Sequence, residues 1–136
     1  MLGSGFVADF YMQGLANVRD HEVVFNYSRT AERARAFAER WGIPEFTDLR
    51  QVVFRDDIDL FIIALPNEEH LAVSLALSSA KRNQVCTKPL GRNRDEARQM
   101  VEAARASGAI HGYAETEVFA PAVVREHFGQ IGRAHV

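Results

Sequence analysis

At 136 residues, 47% hydrophobic and 25% charged, the chain has the size and composition of one globular domain with a real core. A net charge of −2 gives no electrostatic case for nucleic acid or an anionic membrane surface, and no apolar run reaches spanning length. The single cysteine, Cys86, excludes an internal disulfide, and the five histidines lack metal-ligand spacing, so no metal site is expected. Without a basic start followed by an apolar stretch, the expected location is cytoplasmic.

The chain opens on Gly3-Ser4-Gly5-Phe6-Val7-Ala8, which reads as GxGxxA. Glycines at this spacing let a chain turn tightly out of a strand and bring bare backbone against a pyrophosphate. The uncovered N–H groups of the following helix then hold the phosphates. Alone the pattern is weak; it gains force between a strand and a helix inside a βαβ repeat. Only Met1 and Leu2 precede it, so the first strand is expected to be missing or a stub, with an exposed edge or a gap where central strands should pair. A natural start upstream of Met1 is the simplest explanation.

Asp9 to Val18 is expected to be helical, with Phe10, Gly14 and Leu15 toward the sheet, and His21 to Tyr27 a strand rich in valine and aromatics. Thr30 suits a cap for a helix whose stripe is Ala34, Phe37, Ala38 and Trp41, stopped by Gly42 and Pro44. Glu45 to Thr47 reads as a short strand, and Asp48 as the cap of a helical turn through Val53. Asp59 to Leu65 is the clearest strand, apolar without alternation, as burial on both faces of a parallel sheet requires. Pro66 ends it, and Asn67 is expected to cap a helix to about Arg82. Gln84 to Thr87 is a strand; Asn93 caps a helix with the stripe Ala97, Met100, Val101 and Ala104, closed by Gly108. Ala109 to Glu115 is a last strand, and a final helix is expected from Pro121. This alternation implies an α/β fold, a Rossmann-like doubly wound parallel sheet with helices on both faces.

Three places carry candidate chemistry. Ser28-Arg29 closes the second strand about twenty residues past the glycines, where an acid would hold a ribose 2′-hydroxyl. With no acid there, Arg29 pairing a 2′-phosphate favours NADP over NAD; a solvated helix-start arginine is the bland alternative. Leu65-Pro66-Asn67 with His70, and Lys88, lie at strand C-terminal ends, where ligands bind in open α/β sheets. A lysine there can pass a proton to or from a substrate hydroxyl. His70 has packing or capping as an equal alternative, and Cys86 reads as a buried small hydrophobe without a nearby base. Asp56, Asp57 and Asp59 make a polar turn, and Glu115 and Glu117 are solvated carboxylates that could also face the cleft.

On GSGFVA, ALPNEEH, VCTKPLGRN and YAETEVFAP, in this order and spacing, the chain resembles the glucose–fructose oxidoreductase/inositol dehydrogenase/MocA family. The resemblance implies an N-terminal nucleotide-binding domain over 1–120, with 121–136 starting the connection to an α+β substrate domain absent here. It implies cofactor contacts at Gly3, Ser4, Gly5, Phe6, Val7, Ser28, Arg29, Leu65, Pro66, Asn67, His70 and Lys88, with Lys88 also catalytic. A sugar or polyol substrate and homo-oligomerisation of the full-length protein are implied too. Thr87 departs from the family, which usually has a glutamate before the lysine. The chain is therefore expected to be a fragment of an NAD(P)-dependent oxidoreductase, inactive alone. A non-catalytic dinucleotide-binding module, an inactive remnant, or a structural α/β unit that binds nothing is the alternative.

Overall fold

The computed structural model describes residues 1–115, 120–121 and 124–125. In chain order the elements are α1 (Phe6–Leu15), β1 (Asn26–Tyr27), α2 (Ala31–Trp41), β2 (Glu45–Phe46), α3 (Leu49–Val53), β3 (Phe61–Ile63), α4 (Asn67–Ser79), β4 (Gln84–Thr87), α5 (Arg94–Ser107) and β5 (His111–Ala114). Every strand pairing is parallel: β1 with β2 on one side, and β3 with β4 and β4 with β5 on the other.

Leu2 joins these two half-sheets. It bridges Tyr27 in β1 and Ile63 in β3, both in parallel sense. Its N–H donates to the Ile62 carbonyl at 2.8 Å, and its own carbonyl accepts from the Ala64 N–H at 2.7 Å. On the other side the Gly3 N–H donates to the Tyr27 carbonyl, and the Tyr27 N–H to the Met1 carbonyl. The first strand is thus a stub at the centre of the sheet, as expected, but no gap follows. Met1, Leu2 and Gly3 supply the ladder, and Leu2 is wholly buried.

Apolar side chains pack on both sheet faces, as a doubly wound sheet requires. On one face Met1, Ala8, Met12, Phe37 and Ala64 form a cluster that covers α1 and α2. On the other, Val52 and Val53 of α3, Val73 and Leu77 of α4 and Met100 of α5 pack with the strand residues Phe61, Ile63 and Cys86.

The local expectations hold best where a cap or a stop fixes an end. Asp48 accepts from the Arg50 N–H, and Asn93 accepts from both Asp95 and Glu96 N–H. α2 starts after Thr30 and stops at Gly42, although the Thr30 side chain makes no capping bond. Elsewhere the structure differs. α1 begins at Phe6, directly after Gly5, and turns Ala8 and Met12 inward; Phe10 is 61% exposed and Gly14 is exposed. α4 begins at Asn67 itself, behind Pro66 at the cap position, and ends at Ser79. In α5, Met100 is buried but Val101 is partly exposed. β1 is two residues long, matching the two residues of β2 that pair with it. β3 and β5 are each shorter than the apolar runs that announce them. The final helix expected from Pro121 and the segment 121–136 lie largely outside the described residues.

Candidate functional site

The C-terminal ends of β1 and β3 border a cleft of about 160 Å³ between the glycine turn and the start of α4. Gly3 is fixed there by contact. Its φ is +122°, and a Cβ at this position would lie 2.1 Å from the Ala64 carbonyl oxygen. No L side chain fits that conformation and that approach together. Gly5 is the opposite case: it is extended (φ −93°, ψ −173°), with no heavy atom within 4 Å of where its Cβ would be. No side chain caps α1, so its first N–H groups have no side-chain acceptor. Phe6 is 83% exposed and Val7 exposed at the same turn.

The turn is held from β1. The Asn26 amide, fully buried, donates to the Gly3 carbonyl. Ser4 Oγ donates to Ser28 Oγ at 2.9 Å, which joins the turn to the strand end. Asn26 escaped the sequence reading, although a lone amide inside the apolar run HEVVFNY is the kind of residue that marks a buried polar task.

Arg29 lines the cleft, as does Arg33 one turn later on α2. The Arg29 side chain is mostly exposed, but its Nε lies 2.5 Å from Glu69 Oε1, whose side chain is only 12% exposed. Glu69 sits in the first turn of α4 and was not anticipated; the ALPNEEH segment drew attention to its flanks instead.

Leu65 is buried at the end of the β3 segment, and Pro66 and Asn67 are exposed at the start of α4. His70 is 0% exposed. Its Nδ1 lies 2.9 Å from the Pro89 carbonyl and its Nε2 2.9 Å from the Leu65 carbonyl. It therefore ties the end of β3 to the end of β4, and it spends both ring nitrogens in doing so. With one ring proton it donates to one of the two carbonyls; only the imidazolium donates to both.

Lys88 is exposed directly after β4, and the Lys88–Pro89 peptide is cis. The loop that follows is clamped by Glu96, which accepts from the Arg92 backbone N–H at 2.9 Å and from its guanidinium. That guanidinium holds the Glu96 carboxyl below the usual range. Thr87, in the place of the glutamate expected of the resemblance, is buried in β4. Cys86 is buried, as expected, and although no base is near it in sequence the fold sets its Sγ 3.4 Å from His70 Nδ1. Burial nonetheless pushes the thiol up to about 12, so no thiolate forms near neutral pH.

Three of the remaining carboxylates are paired. Asp56 pairs with Arg82 at 3.1 Å and Asp57 with Arg55 at 2.5 Å. Glu115 accepts from the Tyr113 hydroxyl, and Glu117 lies outside the described residues. Among the described residues no helix is long and apolar enough to cross a membrane.

Comparison with known proteins gives this geometry a context. The model of GFO_IDH_MocA, an oxidoreductase family with an NAD-binding Rossmann fold, matches residues 1–114. The chain is 29% identical over 135 residues to scyllo-inositol 2-dehydrogenase (NADP(+)) IolU of Bacillus subtilis, covering 97% of this chain and 41% of that protein. It is 33% identical over 113 residues to 1,5-anhydro-D-fructose reductase of Ensifer adhaerens, covering 82% of this chain and 34% of that protein. Among solved structures, levoglucosan dehydrogenase in complex with NADH and levoglucosan superposes with a TM-score of 0.84 at 24% identity, over 95% of this chain and 38% of the other. The chain thus spans about two fifths or less of the length of these relatives.

Proposed function

The chain belongs to the GFO_IDH_MocA oxidoreductase family as its NAD-binding Rossmann domain, and on that premise we propose that it serves an enzyme moving hydride between a nicotinamide and a sugar- or polyol-like alcohol. The observation that carries the reading is the contrast between the two glycines. Gly3 is a glycine for internal reasons, because it packs on the Ala64 carbonyl, whereas Gly5 faces empty space beside an uncapped helix start. A backbone bare on that side and rich in N–H donors suits a pyrophosphate.

When bound, the dinucleotide supplies the carbon that gives or takes hydride. The chain's own residues do the rest. Gly3, Ser4 and Gly5, with the first turn of α1 at Phe6 and Val7, hold the phosphates. Ser28 and Arg29 meet the adenosine ribose, with Arg29 on a 2′-phosphate, so NADP is favoured over NAD. Leu65, Pro66 and Asn67 border the nicotinamide half. His70 contributes by holding the Leu65 and Pro89 carbonyls, and so sets the spacing of the two strand ends. Lys88 Nζ carries the proton that leaves or reaches the substrate hydroxyl as hydride moves. Residues 1–120 form the cofactor domain, and 121–136 lead toward a substrate domain such as the relatives' greater length implies. The chain by itself is expected to bind cofactor without turning over a polyol.

The test is a titration with NADPH and NADH, followed by Trp41 quenching or cofactor fluorescence. Binding that favours NADPH, and loses that preference in Arg29→Ala, supports the reading. Equal binding of both removes the role given to Arg29. No binding by a folded chain overturns the reading.

A further inference from the structure

An acid is missing from the end of β1, where a dinucleotide site that takes NAD usually places one for the ribose. The fold delivers a carboxylate to that corner from another element. Glu69, in the first turn of α4, lines the same cleft as Gly3, Gly5, Ser28 and Arg29. Its side chain is 12% exposed, and Oε1 is shut off from solvent. Arg29 Nε approaches that oxygen to 2.5 Å but does not align an N–H with it, so the contact is charge against charge and Oε1 still lacks a directed donor. A buried carboxylate oxygen in that condition is short of a hydrogen bond. A ribose hydroxyl that enters the cleft as Arg29 turns aside supplies one, whereas a phosphate dianion only repels it.

We infer that Glu69 is a specificity-determining residue which takes the place of the missing strand-end acid. It accepts from the ribose 2′-hydroxyl of NAD and, by holding Arg29 and by its own charge, limits the affinity for a 2′-phosphate. Arg29 and Glu69 thus act in opposite senses on one corner, and the cofactor preference is the balance between them. Arg33, which lines the cleft and has no ion pair among the described residues, adds positive charge that Glu69 does not offset.

This inference rests on the cofactor-domain reading above, and the experiment separates the two. NADPH and NADH are titrated into the wild-type chain, Glu69→Gln, Arg29→Ala and the double variant, with circular dichroism to establish folding. Glutamine keeps the shape and removes the charge. Glu69→Gln is expected to raise the NADPH:NADH affinity ratio about tenfold, through tighter NADPH and weaker NADH, as a hydrogen bond to a charged group implies. In the double variant the share of that gain that comes from freeing Arg29 for the 2′-phosphate is lost, while the weaker NADH binding remains. An unchanged ratio in a folded Glu69→Gln that binds both cofactors overturns the inference and leaves the cofactor domain standing. Loss of both cofactors in Glu69→Gln alone means that Glu69 serves the shape of the cleft, which also overturns it. Binding of neither by the folded wild type overturns the reading and the inference together.

Discussion

The amine of Met1 lies inside the protein, where it donates to the Phe25 carbonyl at 3.0 Å. Burial lowers its pKa from 8.0 to about 5. In the unfolded chain the amine is protonated below pH 8; in the folded chain it stays neutral down to pH 5. Across this window the unfolded state binds one more proton, so stability is greatest above pH 8 and falls as the pH drops. The loss is about 1.4 kcal/mol per pH unit, or about 4 kcal/mol by pH 5, a large part of the 5–15 kcal/mol typical of a domain. His111, also lowered by burial, works in the same direction below its ordinary value. Acetylation of Met1 isolates the amine. It abolishes the charge and keeps one N–H for Phe25, and the acetyl group has room in the cleft of about 590 Å³ that Met1 borders. Urea unfolding followed by Trp41 fluorescence, at pH 8, 6.5 and 5, is the assay. The free chain should lose about 3 kcal/mol more than the acetylated chain across this range, since the amine is half protonated in the unfolded chain at pH 8 and in the folded chain at pH 5. Equal losses in the two would refute the argument.

Gly3→Ala should cost at least about 3 kcal/mol in the same urea assay, since both the positive φ and the Ala64 carbonyl oppose a Cβ. His70→Leu takes the ring donor from the Leu65 or the Pro89 carbonyl, at about 1–3 kcal/mol; a melting temperature close to wild type would show that the tie does not hold the strand ends. Cys86 should resist alkylation at pH 8 until the chain unfolds, and labelling at the rate of a free thiol under native conditions would contradict its burial. For Glu96→Gln, proteolysis between Leu90 and Asn93 should speed up, because the clamp on the Arg92 N–H and guanidinium is weakened.

The sequence made the order of elements legible because their ends are set by local chemistry. Asp48, Asn93 and Gly42 act on their own helices whatever surrounds them. Apolar runs were less reliable guides to strand length. Asp59 to Leu65 is seven residues of strand-like composition, yet only Phe61–Ile63 pairs as a strand, because pairing needs a neighbour and composition does not reveal one. The inward face of α1 was misjudged for a related reason. An expected start at Asp9 in place of Phe6 moved Phe10 toward the core and took Ala8 out of the helix. In the cleft, the glycines announced themselves, while Asn26 and Glu69 did not. Each acts on a partner remote in sequence, Asn26 on Gly3 and Glu69 on Arg29, and only the fold brings them together.

The seam at Leu2 sets how the sheet can come apart. Among the described residues, the backbone bonds between the two half-sheets all run through Met1, Leu2 and Gly3. Release of these three residues would unzip the ladder between β1 and β3 at once, and amide exchange at Tyr27 and Ala64 would report it as one event. The same release would also dismantle the glycine turn. A ligand that grips the turn and not its opened form therefore suppresses this opening in proportion to its concentration over its Kd. In this chain the dinucleotide would act as a clasp between two halves of a sheet, and its supply would govern how often that clasp is undone.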